Sequence, residues 1–255
     1  MREMVGTVIV ADDASPCTFD HELAAVLGQP GVLGRRFTHN AGIARSLNAG
    51  LSEAISRGSQ WLLTLDQDSK CSTTYVQDLL SDLQRAEAVG LSVGVIAPQS
   101  IEDKRGTIRY PVAHKHGWPV TEEVLQSGAL WSVALLQEIG GFDEVLGIDA
   151  VDAAACLSLR ERGHDVVLSP RAWLQHEWGN ARYLSVFGRT IAATGHSSQR
   201  RANIVRNRLR LFPRELRESP THALRTLRRV AVSNLLAVTT HRAPGNEAAT
   251  GEHTN

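Results

Sequence analysis

The sequence predicts an α/β fold with a mostly parallel central sheet and a basic, helical C-terminal extension. Three observations carry this. Apolar, β-branched runs at residues 5–11, 61–65, 93–97 and 166–169 alternate with amphipathic stretches, as strands alternate with helices in parallel sheets. The first two runs end in carboxylates, Asp12 and Asp13 and then Asp66 and Asp68, at the strand end where open α/β sheets bind ligands. Charge is segregated: the formal net charge is zero, but residues 1–159 carry −9 and residues 160–242 carry +11, the positive charge there being all arginine.

In chain order, residues 5–11 read as a buried strand stopped by a polar turn through Ser15 and Pro16. Phe19, Leu23, Val26 and Leu27 then recur at helical spacing until Pro30 and Gly31 end the run. Asn40 is a good N-cap for the next helix, whose apolar face is Ile43, Leu47, Leu51, Ala54 and Ile55 and which closes near Arg57 and Gly58. Asn48 and Gly50 go against helix propensity inside it. The expectation is close packing at Gly50 and a hydrogen bond from Asn48 to a loop or ligand, with simple exposure of Asn48 as the alternative.

Residues 61–65 read as the central buried strand. Asp66 and Asp68 at its end repel each other unless a cation stands nearby, and hard oxygen ligands there suit Mg²⁺ or Mn²⁺ bridging to phosphates. A plain acidic turn is the alternative. Val76, Leu79, Leu80, Leu83 and Ala86 mark a further helix, residues 93–97 a strand stopped by Pro98, and residues 100–122 a loop-rich stretch with a hairpin over the sheet edge. A short helix through Val133, Leu136 and Ile139 ends at the turn Gly140 to Glu144. Asp149 and Asp152, three apart, share a side at the start of the helix carrying Cys156, Leu157 and Leu159, where the macrodipole favours carboxylates and capping competes with function. His176, after the strand at 166–169, reads as a packed or surface histidine if taken alone.

A chain of 255 residues with 42% hydrophobic composition can bury one sizeable core. No run approaches the roughly 20 apolar residues of a membrane-spanning helix, and residues 1–6 show no signal-peptide pattern, so a cytoplasmic location is expected. Cys17, Cys71 and Cys156 lie far apart without metal-site spacing; reduced, mostly buried thiols are expected. The arginines suit phosphate groups or an anionic surface, or else a solvated helical face. Leu224, Leu227, Ala231, Leu235 and Val238 share one helical face beside Arg225, Arg228 and Arg229. That face would dock on the inner side of an anionic membrane, or pack on the main domain or a second copy of the chain as a homodimer. Residues 243–255 are polar and expected to be disordered.

Several strings now fall in one order: Val10-Ala11-Asp12-Asp13-Ala14-Ser15; Asn40-x-Gly42-Ile43-Ala44 with Asn48-x-Gly50; Leu65-Asp66-Gln67-Asp68-Ser69; Ser127-Gly128; Ile139 through Glu144; Ile148-Asp149-x-Val151-Asp152; and His176-x-x-Gly179, with His196-Ser197, Arg201 and Arg206-Asn207 beyond. In this order they resemble the family 2 glycosyltransferases, most closely their rhamnosyltransferase branch, over about residues 5–212. The resemblance implies a GT-A nucleotide-sugar-binding fold in residues 1–212, followed by a helical extension at 213–242. It implies inverting transfer of a sugar, in this branch usually rhamnose from dTDP-rhamnose, onto a hydroxyl of a glycan or lipid-linked acceptor in cell-wall or surface polysaccharide synthesis; nucleic acid is not an expected partner. By position, Asp12 would hold the base, Asn40 and Ala44 would border the donor's sugar and diphosphate, and Asp66 would contact ribose or a metal-bound water. Asp68 and His176 would ligate Mg²⁺ or Mn²⁺, Asp152 would be the catalytic base, and Asp149, Ser127, Gly128 and Arg206 would stand near the acceptor or support the site.

Against that pattern, the chain begins at the family's second βα unit, which predicts an incomplete base pocket and sheet edge. Gly147 replaces an aromatic residue and Ala154 an acidic one, which predicts a less acidic pocket. Two competing readings are a catalytically degenerate transferase acting as a partner or scaffold, and a haloacid-dehalogenase-like phosphohydrolase with Asp66 as nucleophile.

Overall fold

The computed structural model describes residues 4–103, 106–176, 181–186, 189–194 and 197–241. A parallel βαβ unit opens it: β1 (Val8–Asp12), α1 (Asp20–Leu27) and β2 (Val32–Arg36). Then come α2 (Ile43–Ser56), β3 (Trp61–Thr64), the short β4 (Lys70–Cys71), α3 (Tyr75–Ala88) and β5 (Val93–Pro98). Two antiparallel hairpins follow, β6 (Ser100–Asp103) with β7 (Gly106–Arg109), and β8 (Ala113–Lys115) with β9 (Trp118–Val120). After β10 (Ala129–Ser132) and α4 (Val133–Glu138) come α5 (Val151–Arg160), β11 (Asp165–Ser169) and β12 (Leu174–Gln175). The hairpin of β13 (Ala181–Val186) and β14 (Arg189–Thr194) precedes two long helices, α6 (Ser198–Glu218) and α7 (Pro220–His241).

The main sheet has the order β3-β10-β5-β11-β9-β8. It is mixed rather than mostly parallel. β3, β5 and β11 run in one direction, as their βα connections require, but β10 lies antiparallel between β3 and β5, and β9 pairs antiparallel with β11. β10 is reached through the hairpins and the segment 121–128 instead of a helical crossover, so nothing forces it to be parallel. β2 escaped the sequence reading because only Val32 and Leu33 are apolar; the ladder to β1 makes it a strand.

Both faces of the main sheet are covered. On β10 and β11, Ala129, Trp131, Val166 and Leu168 point into one cluster with α2, α4 and α5, while Leu130 and Val167 point into the other with α3, the period of two expected of a doubly buried sheet. In the first cluster Trp131 and Phe142 meet edge to face at 5.3 Å.

β3 differs from expectation. Trp61, Leu62 and Leu63 are only half-buried. Among the described residues β3 pairs only with β10 and β1 only with β2, although α2 packs against both. One side of each strand therefore opens onto a common cleft, lined by Val8 to Ala11 and by Trp61 to Leu65.

The charge segregation has a structural counterpart. Helices α6 and α7 dock on the acidic core through Arg200–Asp149, Arg208–Glu123, Arg214–Glu161 and Arg229–Glu123. α6 runs unbroken across residue 212, with Pro213 inside it. On α7, His222, Ala223 and Thr226 face inward, while Leu224 and Leu235 stay exposed, so the expected apolar face is not what packs on the domain. The side chain of Val238, and residues 243–255, lie outside the described set. Among the described residues, no helix is long and apolar enough to cross a membrane. All three cysteines are free; Cys17 is exposed rather than buried.

Candidate active site

Three carboxylate or imidazole groups converge at the C-terminal end of β3. Asp66 and Asp68 follow the strand, and His176 follows β12, where its amide donates to the Glu102 carbonyl on β6 at 2.9 Å. One ligand atom from each lies within 4.8 Å of the others. His176 Nδ1 is 3.2 Å from an Asp68 oxygen, and its Nε2 is 3.8 Å from Asp66. Asp68 is the most exposed of the three and His176 the least. Two hard carboxylates and an imidazole, partly open to a cleft, fit Mg²⁺ or Mn²⁺ with positions left for a ligand.

A supporting layer holds this corner. The Asp66 amide donates to Ser127 Oγ at 3.0 Å, Ser127 Oγ meets Ser69 Oγ at 2.6 Å, and Ser69 Oγ meets His176 Nδ1 at 3.0 Å. The Gln126 side-chain amide donates to Asp66 Oδ1. Burial raises the Asp66 pKa, against the lowering influence of Gln126 and His176, and Asp68 raises it further. Gly128 has to be glycine: its φ is +89°, and a Cβ there would sit 2.5 Å from Leu174 and 2.7 Å from the Tyr75 hydroxyl.

The segment 121–128 joins this corner to the expected base. Asp152, in the first turn of α5, accepts from the amides of Ala153 at 2.8 Å and of Gln126. Burial and then the neighbouring Glu123 carboxylate raise its pKa to about 6, in opposition to Arg208. Asp66, Asp68, His176, Asp149 and Asp152 all line one cleft of ≈ 1600 Å³, together with Arg200, Ile204 and Arg208 of α6.

The remaining expected residues are placed differently. Asp12 is buried, paired with Arg36 at 3.0 Å and accepting from the Ser15 amide; its neighbour Asp13 is the one that lines the cleft. Asn40 is exposed and does not cap α2, which begins after Gly42. Asp13 instead holds the segment leading into α2, its two oxygens accepting from the amides of Ala41 (2.7 Å) and Gly42 (2.9 Å), while the helix itself has no side-chain cap. Ala44 is fully buried, its amide bonded to the Gly147 carbonyl at 3.2 Å, while Ile43, Ser46, Leu47 and Gly50 face the cleft. A Cβ on Gly50 would meet nothing within 4 Å, so that glycine does not serve close packing. Asn48 does bond a loop, at Phe142 and Glu144.

Asp149 is tied to Arg200 at 3.4 Å. Arg206 is exposed and does not line the cleft; Arg208, two residues on, does. Ala154 is buried in the core, so the acid missing there takes nothing from the cleft wall. Gly179 and His196 lie outside the described residues. Sequence reasoning missed Asp13, Gln126, Glu123 and Arg208. Two of these carried a signal: Asp13 its place beside Asp12 at the end of β1, and Arg208 its four-residue spacing from Arg200 and Ile204.

Residues 6–129 match the sequence model of Glycosyl transferase family 2. The dTDP-rhamnosyl transferase RfbF of Shigella flexneri is 27% identical over 248 residues, covering 91% of this chain and 78% of that protein. Among solved structures, GalNAc-T7 with UDP, GalNAc and Mn²⁺ superposes with a TM-score of 0.57 at 15% identity, over 81% of this chain. Residues 1–349 of S. aureus TarS give 0.55 at 15%, over 92%. The mannosyltransferase PcManGT from Pyrobaculum calidifontis, with GDP-Man and Mn²⁺, gives 0.55 at 16%, over 93%. The chain spans 42% and 64% of the first two solved chains, and likeness at such identity speaks to the fold alone. These matches leave the phosphohydrolase reading without support. The family 2 match over residues 6–129 and the likeness to the Shigella transferase support a family 2 glycosyltransferase, rhamnosyltransferase-like, and the solved structures resemble this chain in its GT-A fold.

Proposed function

We propose that the protein moves a sugar from a nucleotide-sugar donor onto an acceptor hydroxyl by a single, inverting displacement, with L-rhamnose from dTDP-rhamnose as the preferred donor. The observation that carries this is the shared cleft: a three-residue cation corner at Asp66, Asp68 and His176, and a carboxylate at Asp152 whose raised pKa of about 6 lies close to working pH. The donor preference draws on the likeness to the Shigella transferase. A divalent cation held by Asp68 and His176, with Asp66 beside them, would neutralise charge on the donor's diphosphate; Mn²⁺ accompanies two of the similar solved enzymes.

At neutral pH most Asp152 carboxylates are ionised and can accept a proton. In the proposed step the acceptor oxygen bonds to the anomeric carbon, its proton passes to Asp152, and the bond from that carbon to the diphosphate breaks, releasing the nucleoside diphosphate. Burial of Asp152 makes the carboxylate a stronger base than it is in water. Asp13, Ile43 and Leu47, which line the same cleft, would border the donor, replacing Asp12, Asn40 and Ala44 in that role. The acceptor is a glycan or lipid-linked hydroxyl of surface polysaccharide, used on the cytoplasmic side. We take α6 and α7 as part of the catalytic unit, since Arg208 reaches the cleft.

A thermal-shift panel of dTDP-rhamnose, UDP-glucose, UDP-galactose and GDP-mannose, each with and without Mn²⁺, tests the reading. Metal-dependent stabilisation greatest with dTDP-rhamnose, with free dTDP released on incubation, is expected. No stabilisation by any nucleotide sugar would sink it in favour of a non-catalytic partner.

A further inference from the structure

Helices α6 and α7 are joined at Ser219, and each turns an outward side to solvent. On α7 the core-facing residues are His222, Ala223 and Thr226, and the other side carries Leu224, Arg225, Arg228, Ala231, Val232 and Leu235, all exposed. Leu224, Arg228, Ala231 and Leu235 follow one another at steps of four, three and four, which is one stripe of a helix. The two leucines keep 58% and 66% of their surface in water. α6 repeats the pattern: Asn207, Leu211 and Glu215 are buried, whereas Arg206, Leu209, Arg210, Leu216 and Arg217 are exposed.

The charge on this side has no counterpart within the chain. Among the described residues, the side chains of Arg206, Arg210, Arg217, Arg225 and Arg228 make no ion pair or hydrogen bond, unlike the arginines that dock the helices on the core. Residues 219–242 contain no Asp or Glu; on α6, Glu215 is buried and Glu218 is tied to Arg160 at 3.8 Å. A single exposed leucine is ordinary on a protein surface. Leucines interleaved with unpaired guanidinium groups along two joined helices call for a partner that is apolar and anionic at once. The exposure of Leu224 and Leu235 excludes packing on the domain. A twofold contact with a second copy would press this side against itself, arginine against arginine.

We propose that the outward side of α6 and α7 is a docking surface for an anionic phospholipid bilayer. Leu209, Leu216, Leu224 and Leu235 enter the boundary between headgroups and acyl chains, while the arginine stems lie along it and their guanidinium forks take lipid phosphates. The helices lie on the membrane: among the described residues none is long and apolar enough to cross it. On its other side α6 presents Arg200, Ile204 and Arg208 to the cleft, so docking holds the cleft beside the lipid surface. That a lipid-linked acceptor is met there depends on the proposed transfer; the docking itself does not.

Co-sedimentation of the full chain with vesicles tests this and reads neither donor nor transfer. Binding is expected to vesicles of equal parts phosphatidylglycerol and phosphatidylcholine, and not to phosphatidylcholine alone. Arg228→Glu should weaken it at least about fivefold, and Leu224→Ser combined with Leu235→Ser about tenfold or more. Arg109→Glu, the same change of charge at an exposed site on β7, should leave binding at the wild-type level. These side chains are exposed, so the variants keep the fold. No sedimentation of the wild type with the anionic vesicles at low salt overturns the proposal. Equal weakening by Arg109→Glu and Arg228→Glu also overturns it, since the attraction would then be to net charge, as does binding that ignores the leucine pair. Light scattering in the absence of lipid decides the other occupant: a dimer that the leucine pair dissolves assigns this side to a second copy and overturns the membrane reading.

Discussion

Asn48 and Phe142 are bonded twice: the Asn48 side chain donates to the Phe142 carbonyl at 2.9 Å and accepts from the Phe142 amide at 2.8 Å. A polar residue inside α2 is thereby committed to the turn after α4, and a Cβ on Gly141 would lie 2.7 Å from its Oδ1. Asn48→Ala leaves both backbone groups of Phe142 without that partner and should cost about 2–4 kcal/mol. Urea unfolding measures it; a loss under about 0.5 kcal/mol would show that water replaces the clamp.

The cation corner makes a graded prediction. Calorimetric titration with Mn²⁺ alone should show Asp68→Ala abolishing binding. Ser69→Ala, which removes one neighbour of His176 Nδ1 and one of Ser127 Oγ, should weaken it by about tenfold. Equal binding in wild type and both variants would place the ion elsewhere.

Asp152 should have a stability signature of its own. Its folded pKa, about 6, lies above the ordinary value of 3.8, so the folded state holds the proton more tightly than the unfolded chain does. The favourable contribution is full below about pH 4 and is lost as pH rises through 6. Asp152→Asn, which cannot ionise, should therefore gain on the order of 1–3 kcal/mol relative to wild type at pH 7.5 and almost nothing at pH 3.5. A gain that is equal at both pH values would mean the effect is packing, not charge.

Amide exchange should separate the strands. β5 and β11 are paired on both sides, whereas β1 and β3 each have one side on the cleft. Amides of β1 and β3 that point to the cleft should exchange at least about tenfold faster than those of β5, because no ladder protects them. Uniform protection across all four strands would show that the cleft closes in solution.

Local pattern revealed a good part of the molecule. The apolar runs of β1, β3, β5 and β11, the helical spacing of α2 and α3, and the carboxylates after β1 and β3 were all visible in the sequence, because periodicity reports which face of an element is buried. It does not report what an element pairs with. β10 entered antiparallel between β3 and β5, and β2 became a strand only by meeting β1.

Caps and charges were decided in the same way. Asn40 had the chemistry of a cap, but Asp13, distant in sequence, holds the amides of Ala41 and Gly42, and α2 starts after Gly42 with no side-chain cap. The arginine-rich third read as a surface for phosphates or lipid, as a solvated face, or as a helix packed on the domain; four of its arginines neutralise Asp149, Glu123 and Glu161 on the core. Residue types and their order in the chain singled out Asp66, Asp68, His176 and Asp152, and the fold brings all four to one cleft. Only the tertiary structure brought Glu123 and Arg208 to Asp152, since a charge pair forms wherever packing leaves two groups a few ångströms apart in a poorly solvated place, and that distance is not written in any local stretch of sequence.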